Sequence, residues 1–120
     1  MDEAPKSILL CSQDTLFVKG LYGPLRDEGY AVSTIEHPAE AVKCVLGEPY
    51  LCVILDSRDI GLDASDAAAI IKNIRPDIYI IVIGKDEGAG NFYFVREPYA
   101  IDQLKELINE LSAGRLRQRA

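Results

Sequence analysis

Residues 51–56 read LCVILD, an unbroken apolar run followed by a carboxylate. Five apolar residues are too few for a stable helix, and the lack of polar alternation is typical of a strand buried on both faces of a parallel sheet. Four other short runs predict further strands, at Ser7–Cys11, Ala31–Ile35, Ile78–Ile83 and Phe92–Arg96. The sequence therefore predicts a sheet of five strands.

Segments with apolar residues at helical spacing separate most of these strands. Helices are predicted from Leu16 to Gly29, from Pro38 to Gly47, from Asp63 to just before Pro76, and over Ile101–Leu111. Strands that alternate with helices form parallel βαβ units, in which helices cover both faces of an open sheet. The predicted fold class is α/β, with a doubly wound five-stranded parallel sheet.

The connection between the fourth and fifth strands is unusually short. Only eight residues, Gly84–Asn91, separate them, whereas a crossover between parallel strands takes at least about 10–12 residues. We therefore expect the fourth helix to be missing or shortened to a single turn. That change would expose apolar edges of the last two strands, which favours a protein partner or a second copy of the chain.

The composition fits one globular domain. The chain has 120 residues, of which 48% are apolar and 27% charged, and domains usually have about 100–150 residues. The apolar runs are far shorter than a membrane span, and the first six residues are too polar for a signal peptide. We expect a cytoplasmic domain with no membrane contact.

The charge is distributed unevenly along the chain. The net charge is −6, and Arg115, Arg117 and Arg119 all lie in the last six residues, so residues 1–114 carry −9. Proteins bind nucleic acids mainly by neutralising phosphate charges. The strongly negative charge of residues 1–114 therefore argues against direct nucleic-acid binding. We expect a domain over residues 1–114, followed by a basic tail or linker over residues 115–120.

Polar residues follow the predicted strands where such sheets bind ligands, at the carboxyl ends of their strands. They are Ser12, Gln13 and Asp14 after the first strand, Asp56 and Arg58 after the third, and Arg96 and Glu97 at the end of the fifth, whereas Gly84, which has no side chain, follows the fourth. The sequence thus places a candidate site at this edge of the sheet. His37 precedes Pro38 at a helix start, where we expect it to cap the helix.

Two stretches resemble a known family, the receiver domain of two-component response regulators. LDSRDIGLDASDAAAIIKNIR (residues 55–75) is similar to the family's phosphoacceptor strand, glycine-bearing turn and third helix. Glu97-Pro98-Tyr99 stands at the place of the family's Lys-Pro-Phe. The resemblance covers residues 7–111 in element order, and it implies a flavodoxin-like sheet with strand order 2-1-3-4-5.

The resemblance makes Asp56 the candidate phosphoacceptor, but the positions around it depart from the family pattern. The acidic pair that binds Mg²⁺ in the family falls on Ser12 and Gln13, which are both neutral. The hydroxyl residue that contacts the phosphoryl group falls on Gly84, and the family's lysine falls on Glu97. The site residues are therefore degenerate by comparison with the family.

These departures oppose phosphoryl transfer, which depends on charge neutralisation by a metal and a cation. Mg²⁺ prefers carboxylate and water oxygens, which Ser12 and Gln13 do not supply. A carboxylate at Glu97 about 4 Å from a phosphorylated Asp56 would cost about 4 kcal/mol at an effective dielectric constant near 20. We therefore predict a pseudo-receiver, meaning a receiver-like signalling module that binds protein partners with no cofactor and without normal Mg²⁺-dependent phosphorylation.

Two arginines and one aromatic residue bear on this prediction. Arg58 or Arg96 could place a guanidinium where the metal or the lysine would stand, by pairing with Asp56 or Glu97. The alternative interpretation, in which each arginine only lies along the surface without pairing, is equally favoured. Phe94 matches the family's switch aromatic, although a plain packing role is favoured because Gly84 lacks the hydroxyl that would couple it to the site.

Two alternatives remain open. One is a working receiver that binds Mg²⁺ and is phosphorylated on Asp56 by a histidine kinase. The other is a phosphoryl-transfer enzyme with Cys11 as nucleophile, which is disfavoured because residues 11–17 contain neither glycine nor arginine to hold an anion. The expected partners are a histidine kinase, an output domain or a second copy forming a homodimer.

Overall fold

The computed structural model describes residues 6–56, 64–84, 92–96 and 101–113. The strands are β1 (Ser7–Cys11), β2 (Ala31–Ile35), β3 (Cys52–Asp56), β4 (Tyr79–Gly84) and β5 (Tyr93–Arg96). The helices within the described ranges are α1 (Thr15–Asp27), α2 (Pro38–Gly47), α3 (Ala64–Ile74) and α4 (Ile101–Ser112). Strands and helices alternate up to β4, as the sequence predicts.

The five strands form one parallel sheet with the order β2-β1-β3-β4-β5. This confirms both the predicted α/β class and the strand order that the family resemblance implies. Every residue of β3 is buried, which explains its unbroken apolar sequence. Strand β3 lies between β1 and β4, so its last residue, Asp56, emerges at the middle of the sheet edge.

Alternate residues of the strands build two separate cores, one on each face of the sheet. On one face, Ile8, Leu10 and Ile54 pack with the apolar sides of α1 and α4. On the other face, alternate strand residues, including Leu9 and Val53, pack with α2 and α3. These layers position the strand ends, because neither face can shift without opening a buried core.

The strand limits differ slightly from the predicted ones. Strands β3, β4 and β5 each begin one residue later than their apolar runs. Leu51, Ile78 and Phe92, which precede these strands, are nevertheless buried. Burial therefore begins one residue before the hydrogen-bonded part of each strand. For this reason an apolar run alone does not show where the strand pairing starts.

The predicted loss of the fourth helix concerns residues that lie mainly outside the described ranges. Strand β4 ends at Gly84 and the next described residue is Phe92, directly before β5. None of the four helices in the described residues lies between these two strands. Residues 85–91 themselves lie outside the described part of the chain, as does Asp63, the predicted cap of α3. Within the described part, no helix is long and apolar enough to cross a membrane.

A polar network ties the last helix to the end of the first. The Tyr30 hydroxyl donates to Asn109 Oδ1 at 2.7 Å, and Asn109 Nδ2 donates to Glu28 Oε1 at 2.9 Å. Tyr30 itself is buried. The network fixes α4 against the turn between α1 and β2, where Gly29 has the positive φ of 97° that favours glycine.

Removing the Tyr30 hydroxyl should therefore weaken the fold. We expect Tyr30→Phe to lower the free energy of unfolding by about 1 kcal/mol, because Asn109 loses a partly buried hydrogen bond. Tyr22→Phe is the matched control, since the Tyr22 hydroxyl accepts from Arg26 Nη1 on the exposed side of α1. Urea denaturation measures both variants, and equal losses for the two would contradict this role of the network.

Candidate functional site

Asp56 is a buried carboxylate at the carboxyl edge of the sheet. It is the last residue of β3, and only 4% of its surface is exposed. In the register Cys11 lies opposite Leu55, which brings Ser12 level with Asp56. Ser12 is likewise buried, with 3% exposed. The structure therefore brings together these two predicted site residues.

A hydrogen bond joins the two side chains. Ser12 Oγ donates to Asp56 Oδ2 at 2.7 Å, and Ser12 Oγ in turn accepts the backbone N–H of Asp14 at 3.0 Å. A hydroxyl donor at this distance from a carboxylate makes a short, charge-assisted bond. Ser12 is thus held from both sides, and its hydroxyl stabilises the carboxylate of Asp56.

The other two polar residues after β1 have partners elsewhere. Asp14 is the N-cap of α1, and its Oδ1 accepts the backbone N–H groups of Leu16 and Phe17 at 3.0 and 3.2 Å. Gln13 Nε2 is hydrogen-bonded to His37 Nδ1 at 3.1 Å. These contacts direct Asp14 to the start of α1 and Gln13 to the start of α2.

The His37 contact corrects one expectation. His37 does occupy the N-cap position of α2, but its side chain makes no capping hydrogen bond. Its ring meets Gln13 instead. The sequence signal for a helix start was right, whereas the role of the imidazole depended on a neighbour from another element, 24 residues away along the chain.

The described residues do not fit the Mg²⁺ site of the family. In the described ranges, no group of three or more His, Cys, Asp or Glu side chains is placed to hold a metal ion. Ser12 and Gln13 bring no charge, and the Asp14 carboxylate faces backbone N–H donors of α1. Because Mg²⁺ prefers several hard oxygen ligands that include one or two carboxylates, this donor set is poor.

A pocket beside Ser12 adds no strong charge. It measures about 260 Å³, and its lining includes Gln13, Lys19, Thr34 and Glu36. One cation and one anion among these side chains leave their net charge near zero. The pocket therefore offers little electrostatic attraction for a phosphoryl group.

The remaining predicted positions lie along β4 and β5 or outside the described ranges. Gly84 ends β4 and is paired with Arg96, the last residue of β5. Gly84 brings backbone but no hydroxyl to the edge. Arg58 and Glu97 lie outside the described residues, and so the proposed pairing of an arginine with Asp56 or Glu97 stays a prediction.

Phe94 lies in the middle of β5, opposite Val82. Its ring is half-buried and packs against the core on the α2 and α3 side of the sheet. This is the kind of contact that a packing residue makes. Whether the ring also responds to the state of Asp56 stays a prediction.

Cys11 is poorly suited to act as a nucleophile. It is fully buried, and desolvation together with the nearby Asp56 charge raises the pKa of its thiol to about 12. The thiolate is the reactive form, and a pKa raised this far keeps the thiol protonated at neutral pH. Burial and the raised pKa therefore argue against Cys11 as the nucleophile of a phosphoryl-transfer enzyme.

Residue patterns alone missed two contacts at this site. The donation from Ser12 to Asp56 depends on the strand register, and the Gln13–His37 contact depends on the approach of α2 to β1. The sequence did contain a sign of the Ser12–Asp56 bond, because Ser12 directly follows a strand predicted to be buried, where a hydroxyl group needs a hydrogen-bond partner. Lys85, which follows Gly84 directly, is a further cation near this edge by sequence; it lies outside the described residues.

Comparisons with known proteins agree with the fold. No protein-family model matches the sequence. The transcriptional regulatory protein GlrR of Escherichia coli K12 is 29% identical over 119 residues, covering 92% of this chain. The chain spans only 27% of the length of GlrR, and QseF of Escherichia coli O157:H7 gives the same values.

Solved structures show the same architecture. A response regulator receiver protein from Sinorhizobium medicae matches with a TM-score of 0.81 at 23% identity, covering 95% of this chain and 98% of that one. The receiver domain of the sensor histidine kinase PA1611 from Pseudomonas aeruginosa, solved with magnesium in its active-site cleft, matches with a TM-score of 0.79 at 21% identity, covering 92% and 99%. The chain therefore has the receiver fold, and its expected resemblance to response regulator receiver domains is confirmed.

The Ser12 hydroxyl should contribute measurably to stability. We expect Ser12→Ala to lower the free energy of unfolding by about 1–3 kcal/mol, because a buried carboxylate loses a hydrogen bond. Ser7→Ala, at the other end of β1, is the matched control and should change stability by less than about 0.5 kcal/mol. Equal denaturation midpoints for the two variants would show that the bond to Asp56 adds nothing.

The three cysteines should differ in reactivity. Cys11 and Cys52 are fully buried with pKa values raised to about 12, whereas Cys44 is half-buried. In the folded protein, iodoacetamide at neutral pH should modify Cys44 well before the other two, and mass spectrometry of peptides will show the order. Denatured chain, the control, should react at all three positions. Rapid modification of Cys11 in the folded state would revive its candidacy as a nucleophile.

Proposed function

We propose that this chain is a pseudo-receiver, a receiver-like signalling module that acts by protein–protein interaction without normal Mg²⁺-dependent phosphorylation of Asp56. The observation that carries the proposal is the 2.7 Å hydrogen bond from Ser12 Oγ to Asp56 Oδ2. In the family pattern a metal-binding carboxylate would stand at Ser12. Here a hydroxyl group takes its place and satisfies the buried carboxylate directly.

The side chains around that bond support the proposal. A metal ion at Asp56 would need further negative oxygen ligands, but Gln13 is neutral and bound to His37. Asp14 has the right charge, yet its carboxylate caps α1. Binding a metal through Asp14 would therefore give up two hydrogen bonds to the start of that helix.

On the far side of the site, the sequence departs from the family at the two positions that contact a transferred phosphoryl group. Gly84 offers no hydroxyl at the end of β4, and the sequence places a glutamate, Glu97, directly after β5. Anionic groups around an acyl phosphate raise its free energy, whereas catalysis of phosphoryl transfer requires cations there. Arg58, Arg96 and Lys85 are the candidate substitutes for those cations by sequence position.

A protein partner follows from the kind of module rather than from a ligand pocket. The similar GlrR is a transcriptional regulatory protein, and this chain matches 27% of its length. The similar PA1611 domain belongs to a sensor histidine kinase. We propose an output domain or a histidine kinase as the partner. A second copy of the chain is a further candidate partner, and it would form a homodimer.

A working receiver is the second candidate. Asp56 stands at the end of the central strand of a receiver fold, which is where the resemblance places the phosphoacceptor. In that case the arginines or Lys85 would replace the missing cations. The two candidates differ in whether the Asp56 site binds Mg²⁺ and in whether Asp56 forms a stable phosphoryl or beryllofluoride adduct.

Beryllofluoride with Mg²⁺ tests the proposal directly. We expect no stoichiometric adduct on the unmodified chain, because neutral residues stand at Ser12 and Gln13 and a glutamate at Glu97, where the family has its metal-binding carboxylates and its lysine. The triple variant Ser12→Asp, Gln13→Asp, Glu97→Lys restores the family's charges and should gain an adduct, read by fluorine NMR.

Asp56→Asn in each background is the control for site specificity. In the triple variant it should abolish the adduct. A stoichiometric adduct on the unmodified chain that disappears with Asp56→Asn would overturn the proposal in favour of the working receiver.

A further inference from the structure

A groove runs along the edge of the sheet between β5 and α4. It measures about 720 Å³ and is formed by β5 residues, Phe92 and one face of α4. Strand β5 is the last strand of the sheet on this side within the described residues. An edge strand presents backbone groups that can pair with another extended segment.

One wall of the groove is acidic and the other is aromatic. Asp102, Glu106 and Glu110 of α4 all line it, at intervals of four residues. Residues four apart lie on one helix face, separated by about 6 Å along the axis. Opposite them lies β5, whose Tyr93 side chain is on the α4 side of the sheet, whereas the Phe94 ring packs on the α2 and α3 side. The groove thus presents a row of three carboxylates beside an apolar surface.

The sequence that follows α4 has the matching pattern. Residues 114–120 read GRLRQRA, with arginines at 115, 117 and 119. In an extended chain, alternate residues lie on the same side at intervals of about 6.6–6.8 Å. That spacing is close to the 6 Å interval of the carboxylates. Leu116 falls on the opposite side from the arginines, where an apolar surface would suit it.

The connection allows the chain to turn back. Helix α4 ends at Ser112, the Ala113 N–H donates to the Asn109 carbonyl, and Gly114 comes next. Glycine directly after a helix is the usual residue for a sharp change of direction. Five extended residues from 115 to 119 span about 13 Å, and the carboxylate row from Asp102 to Glu110 spans about 12 Å.

We propose that residues 114–120 dock in this groove of the same chain, antiparallel to α4. Arg115 then pairs with Glu110, Arg117 with Glu106 and Arg119 with Asp102, while Leu116 packs against Tyr93 of β5. A partner that uses the β5–α4 face must first displace this segment. The proposal is independent of the state of Asp56.

The closeness of the arginines to the end of α4 favours docking within one chain over docking of a second copy. The arginines begin two residues after Ala113, so the tether keeps their local concentration at the groove high. Exposed ion pairs are individually weak and are screened by salt. Only a tethered segment can use them without a large additional interface.

The test is a charge swap in the full chain, followed by ¹⁵N NMR. Arg115→Glu with Arg117→Glu should shift the amide signals of Phe92–Val95 and of α4 around Glu106. Glu106→Arg with Glu110→Arg should shift the same signals, and combining both pairs should move them back toward their original positions. Glu40→Arg, an exposed charge reversal on α2, should leave the β5 signals unchanged.

Two further measurements complete the test. Salt at about 1 M, where the Debye length is about 3 Å, should move the β5 signals in the same direction as the arginine substitutions. Unchanged signals from Leu9 and Val53 will show that each variant remains folded. Shifts confined to the residues beside each substitution would overturn the proposal. A dependence of the β5 signals on protein concentration would also overturn it, because it would assign the groove to a second copy.

Discussion

A carboxylate buried at the end of a central strand must be satisfied by its neighbours, because an isolated charge in the interior is very costly. Asp56 is such a group, and the hydroxyl of Ser12 provides a hydrogen bond to it at 2.7 Å. The sheet enforces this contact, since the register of β1 on β3 places the two residues at the same level. The local chemistry of the site depends on that bond.

The surrounding polar groups then take structural roles. Asp14 stabilises the start of α1, and Gln13 joins β1 to the start of α2 through His37. In a phosphorylated receiver the corresponding edge must collect positive charge around a phosphoryl group. In the described part of this edge, the donors hold the protein's own elements together. That difference explains how the chain can keep the receiver fold while its site departs from the family.

The sequence allowed the five-stranded sheet to be predicted, because short apolar runs without polar alternation are typical of buried parallel strands. The strand order came from the resemblance to receiver domains. The sequence also located Asp56, since a carboxylate directly after such a run must emerge at the sheet edge. It could not show that Ser12 donates to Asp56, or that His37 meets Gln13 rather than capping α2. Both contacts join elements far apart in the chain, and their geometry follows from packing that no local pattern records.

The affinity of the Asp56 edge for Mg²⁺ tests the central claim most directly. A titration of the ¹⁵N-labelled chain with Mg²⁺ should leave the amide signals of Ser12, Gln13 and Asp56 unchanged up to a large excess of the ion. The matched Ser12→Asp, Gln13→Asp variant should show saturable shifts at the same residues, because it gains two carboxylate ligands. Saturable one-to-one shifts in the unmodified chain, lost in Asp56→Asn, would contradict the account of a receiver fold without a working metal site.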